Sequence, residues 1–125
     1  MVKKGTAKKG WDLLYKKYDK KVVDSLIKLQ KFSPAFVEDV IIEFAFGNLW
    51  QRPLFNAKEK EKIVLASLIT QGCVEDQFRG HVQTALNVGV TVEEIKEILI
   101  LLTTYIGVPR CLKALLIVQA VVEGK

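Results

Sequence analysis

The chain is poor in the residues that staple or bind. It has two cysteines, Cys73 and Cys111, one histidine, His81, and three prolines in 125 residues. Two cysteines so far apart do not make a disulfide framework, so a reducing, cytoplasmic setting is the default expectation. One histidine and two scattered cysteines leave no spacing that reads as a metal site. No apolar run reaches the roughly 18–20 residues needed to span a bilayer, so no membrane partner is expected. The lysine-bearing start has no apolar segment and no cleavage site, and no secretory signal is read there. Repeats are lacking, and so is any strand-like alternation worth defending.

What remains is an ordinary globular composition, half apolar and 26% charged, long enough to bury one core. The formal charge of +5 is unevenly spread: residues 1–31 carry ten lysines against three aspartates, +7, so the remainder is −2. A basic arm of this kind can bind nucleic acid. Neither a stacking aromatic pattern nor a nucleic-acid motif accompanies it, so a soluble tail and a solvated helix face are expected instead.

Periodicity gives about six helices in an all-α domain. Residues 1–10 read as a disordered Lys/Gly tail, and residues 11–125 as a single domain. Leu14, Tyr18, Val22, Leu26 and Leu29 step at helical spacing across one helix from Trp11 to Gln30. Ser33-Pro34 opens a second helix, whose expected buried stripe is Phe36, Val37, Val40, Ile41, Phe44 and Ala45. Asn56 caps a third helix over residues 57–70, and its charged opening, Lys58 to Lys62, reads as a solvated first turn. Gln71-Gly72 breaks it. Glu75 to Asn87 makes a fourth helix, with Phe78, Val82, Ala85 and Leu86 on one face and Gly89 in the left-handed position beyond its end. Thr91 and Glu94 form a capping box for a fifth helix that runs to about Tyr105. A sixth follows from about Pro109 to Val122. The last two are apolar nearly all round. A domain this small can hardly enclose both, so another subunit is expected to cover part of them.

His81 lies on the apolar face of the fourth helix, between Phe78 and Ala85, with Gln77 one turn before it. An imidazole placed there needs a hydrogen-bond partner or has chemistry to do.

The run GHVQTALNVGVTVEEIKEILI, followed by TTYIGVP, resembles the carboxymuconolactone decarboxylase family, the all-helical group that includes the alkylhydroperoxidase D proteins. His81, Ala85, Gly89, Thr91, Glu93-Glu94, Tyr105, Gly107 and Pro109 carry the pattern, and upstream FGNLWQRPLFNAKEKEKIVLASL resembles the segment before the histidine helix. The likeness covers roughly residues 44–122. It implies an alkylhydroperoxidase D-like fold and a homo-oligomer, a ring of six being favoured. It also implies loss of CO2 from a small carboxylated lactone, with no metal or organic cofactor. His81 would donate the proton. Arg52 and Lys60 would grip the substrate's carboxylates, Lys60 standing where many members have arginine. Gln77, at a position often occupied by glutamate, would orient His81 or bind substrate, and Tyr105 would supply an apolar wall.

The peroxidase branch resembles Cys-x-x-Cys followed four residues later by histidine; Val74 and Gln77 hold those positions here. A thiol peroxidase using Cys73 with His81 is the enzymatic alternative, since Cys73 stands near a helix N-terminus, where a thiolate is favoured. A non-enzymatic oligomer with nucleic-acid-binding basic arms is the other.

Overall fold

A computed structural model describes residues 3–72 and 74–125. Among them the regular structure is all helical, in seven helices and one short 3-10 turn. They fall into two compact units, Met1–Leu54 and Phe55–Lys125.

The first unit holds α1 (Ala7–Lys17), α2 (Lys20–Phe32) and α3 (Phe36–Phe46), then the turn Leu49–Gln51. The described part of its start packs against α3. Gly10 is helical and buried, and a β-carbon there would stand 2.3 Å from the Ile42 carbonyl oxygen, so only glycine allows α1 to sit this close to α3. The Glu43 carboxylate accepts from the backbone N–H groups of Gly5 and Thr6, which cover donors that the helix itself leaves unmet. Asn48 accepts from the Lys3 N–H at 2.7 Å and donates to the Lys3 carbonyl at 2.9 Å.

The expected helix over residues 11–30 is two helices. Tyr18 and Asp19 are extended, and the Asp19 carbonyl accepts from the N–H groups of Val22 and Val23 to begin α2. The buried stripe of α3 also differs from expectation. Val37, Ile42 and Phe46 are buried, whereas Phe36, Val40 and Phe44 are exposed. The cause is the winding. Alpha3 closes its bonds five residues back, as from the Gly47 N–H to the Ile42 carbonyl at 2.6 Å. A wider turn rotates the inward positions away from the α-helical count. Leu14 and Val23 complete this unit's core. Lys17 is buried beside it, its ammonium 3.4 Å from the centre of the Trp50 ring.

The second unit follows the sequence closely. It comprises α4 (Ala57–Gln71), α5 (Glu75–Asn87), α6 (Val92–Ile106) and α7 (Val108–Val122). Asn56 and Glu59 form a capping box at the start of α4, and Thr91 and Glu94 form another at α6, each tying two backbone N–H groups to side chains. Gly72 ends α4 at φ 78°, where a side chain would be strained. Helix α4 packs against α5, α6 and α7, and the shared core is Leu65, Ile69, Phe78, Val82, Ala85, Val90, Ile95, Leu99, Ala114 and Val118. The outer faces of α6 and α7 leave Ile100, Leu101, Tyr105, Val108, Leu112 and Leu116 more than half exposed. Among the described residues no helix is long and apolar enough to cross a membrane.

Candidate active site

Helix α5 buries Phe78, Val82 and Ala85, and this face carries His81 inward with 15% of its side chain exposed. Opposite it, on α4, stands Glu61, whose side chain has no exposure at all. Glu61 Oε2 lies 3.0 Å from His81 Nδ1. An ionised carboxylate only accepts, so with Glu61 ionised Nδ1 carries the proton and donates it. That bond fixes the ring's orientation and turns Nε2 away from Glu61.

Glu61 was missed in the sequence because it sits inside the run Lys58-Glu59-Lys60-Glu61-Lys62, which reads as a solvated turn. The signal was nevertheless present. Glu61, Leu65 and Ile69 stand four residues apart, and all three are buried. The core stripe of α4 thus begins with a carboxylate. Its neighbours do behave as a solvated turn: Lys58 and Glu59 are exposed. Lys62 crosses to α6 and pairs with Glu94. The Lys62 ammonium, helped by the Thr91 backbone N–H, holds the Glu94 carboxyl well below its usual 4.5, at about 2. That pair links the helix bearing Glu61 to the next capped helix.

The other residues singled out from sequence are dispersed in character. Lys60 is half-buried, adjacent to Glu61 on α4. Gln77 is exposed one turn before His81, and Tyr105 is 79% exposed near the end of α6. Arg52 belongs to the first unit, where it is exposed and lines a polar cleft with Lys3, Lys9, Asn48 and Gln51. Cys73 lies outside the described residues. Cys111 is buried in α7 as a packing residue. Among the described residues no three His, Cys, Asp or Glu side chains gather as they would around a metal ion.

An all-helical protein with a buried carboxylate–imidazole pair is the class that fold and site define. Residues 37–120 match the sequence profile of the Carboxymuconolactone decarboxylase family. The chain is 34% identical over 91 residues to a 4-carboxymuconolactone decarboxylase of Acinetobacter baylyi, covering 73% of this chain and 66% of that one. It is 32% identical over 86 residues to a nitrosuccinic acid decarboxylase of Metarhizium robertsii, covering 69% and 59% respectively. An uncharacterized 15.0 kDa protein of Paracoccus denitrificans is 32% identical over 94 residues, covering 74% and 69%. The chain belongs to the carboxymuconolactone decarboxylase family. It spans just under two thirds of the length of the first of these relatives and less than that of the second.

Proposed function

We propose that this protein is a decarboxylase of a small carboxylated lactone or a related small acid, with His81 as proton donor and Glu61 as the group that positions and charges it. The observation that carries this reading is the 3.0 Å contact between His81 Nδ1 and a wholly buried Glu61 carboxylate. Two relatives are named as decarboxylases, of different acids, which supports the reaction type more than any one substrate.

The step balances with these groups. The bond from the ring carbon to the substrate carboxylate breaks, and its electron pair stays with the carbon skeleton as the double bond moves. CO2 leaves, and His81 Nε2–H gives its proton to the carbanion-like carbon. Glu61 stabilises the imidazolium before the transfer, and solvent restores the proton afterwards. Departure of CO2 is favoured where the carboxylate is stripped of water, which the apolar surroundings of Phe78, Val82 and Ala85 serve. Lys60, half-buried beside Glu61, is the cation in this unit assigned to the substrate's second carboxylate. Gln77, exposed one turn before His81 on the same helix, is assigned to the substrate's polar edge.

The chain works as a homo-oligomer in this reading, six copies being favoured, with Tyr105 and the exposed apolar faces of α6 and α7 covered by a second copy. Sedimentation of the purified protein checks this, and a monomer at micromolar concentration would refute it.

Activity is tested by incubating the protein with 4-carboxymuconolactone and following CO2 and the enol-lactone. Turnover by the wild type that disappears in His81→Ala supports the proposal. Failure of the wild type on both this lactone and nitrosuccinate, or full turnover by His81→Ala, sinks it.

A further inference from the structure

Of the eight glycines, five stand at positive φ, where a side chain is disfavoured. Two others, Gly10 and Gly47, face backbone atoms that a β-carbon would strike. Gly80 has neither reason. It lies inside α5, next to His81, without a positive φ. Beyond its chain neighbours and the helix's own backbone, a β-carbon there would have no atom of a described residue within 4 Å, although Gly80 itself is half-buried. A glycine inside a helix weakens it relative to alanine, so the fold of this chain does not explain its presence.

At about 100° per residue along α5, Phe78, Val82 and Ala85 fall to one side of His81, and Gln77, Thr84 and Gly80 to the other. The first side is closed: those three residues are buried, and Glu61 holds Nδ1 from α4. On the second side Thr84 spends its hydroxyl on the Gly80 carbonyl at 3.0 Å, and Gln77 is exposed. The space over Gly80 is thus open, beside the imidazole, with the Gln77 amide one turn away.

From this arrangement we infer that the space over Gly80 receives the substrate beside His81, so that residue 80 sets how bulky an acid the site admits. The missing side chain leaves room for the part of the acid next to the reacting carbon, which in a lactone is the ring. A larger residue would fill that room without touching the side of the helix that Glu61 holds. Helix stability and ligand size are therefore opposed at this position: alanine strengthens α5 and narrows the site. The inference rests on the reading that a small acid binds at His81, and not on the reaction that follows.

The test compares the wild type, Gly80→Ala and Gly80→Leu by thermal unfolding and by titration with succinate and the bulkier phenylsuccinate. The chain's one histidine gives a single imidazole signal, so binding is read from its ring-proton resonances at constant pH. The expected thermal midpoint of Gly80→Ala is higher by roughly 2–5 °C. Both acids bind the wild type. Gly80→Ala weakens phenylsuccinate about fivefold and leaves succinate near its wild-type affinity, whereas Gly80→Leu weakens both, phenylsuccinate about tenfold or more. A lower midpoint in Gly80→Ala overturns the inference, since the space would then already be filled, as by a second copy. So does a wild type whose imidazole responds to neither acid, or a Gly80→Leu that binds phenylsuccinate as tightly as the wild type. If the acids bind in this size order and the wild type turns over neither 4-carboxymuconolactone nor nitrosuccinate, the inference stands and the decarboxylase reading falls.

Discussion

Glu61→Gln keeps the volume and one hydrogen bond of the buried pair and removes the charge. A hydrogen bond to a charged partner is worth about 1.5–3 kcal/mol, against about 0.5–1.5 for a neutral one. The difference of about 1–2 kcal/mol falls on the imidazolium form of His81, the form that donates. Each 1.4 kcal/mol or so is a factor of ten in rate, so kcat should fall about 5- to 30-fold. Glutamine can also offer its own N–H to Nδ1, which favours the wrong tautomer and pushes the loss to the upper end. Steady-state CO2 release measures this, with thermal unfolding as the control for folding. Glu61→Met separates the two roles. Removing one member of a buried pair leaves the other unmatched and is strongly destabilising, by about 3–5 kcal/mol. That variant should therefore be inactive and unfold earlier than Glu61→Gln, which keeps a hydrogen bond to Nδ1. If Glu61→Gln retains about half the wild-type rate or more while His81→Asn is dead, the carboxylate has no part in the proton transfer and the reasoning fails.

Three further outcomes follow from the scaffold. The Glu94 carboxyl, lowered from 4.5 to about 2, contributes stability that is fully present above pH 5 and is lost as pH falls toward 2. Urea midpoints of wild type and Glu94→Gln should therefore differ at pH 7 and converge near pH 2; a gap independent of pH contradicts the assignment. Asn56→Ala removes the acceptor for the Glu59 N–H and should cost about 0.5–2 kcal/mol, read as a lower thermal midpoint. Gly10→Ala forces a β-carbon against the Ile42 carbonyl and should destabilise by about 1–3 kcal/mol, whereas a disordered residue 10 would tolerate the change.

The second unit was legible because its boundaries are written in local chemistry. Asn56, Gly72, Gly89 and the Thr91–Glu94 pair each satisfy or end a helix through groups a few residues away. The first unit was less so. The break at Tyr18-Asp19 interrupts a run whose apolar spacing suits a continuous helix. The inward face of α3 depends on a winding that α-helical counting does not describe. Residues 5–10 hold through Glu43, which accepts from Gly5 and Thr6, and Ile42, which packs on Gly10, both more than thirty positions away. The site divides in the same manner. His81 stands out as a lone imidazole on an apolar face, and the family pattern points to it. Its partner is twenty residues upstream and sits in a charged run, so only the continuation of the Leu65–Ile69 stripe back to Glu61 marks it.

The central claim is that His81, held by Glu61, delivers the proton that replaces CO2. Turnover in deuterated water measures that transfer at the bond formed. The account predicts that the wild type releases CO2 and places one solvent deuteron on the protonated carbon of each product molecule, while His81→Asn, folded to the same extent, does neither. CO2 release and deuteration by His81→Asn at the wild-type rate would contradict it.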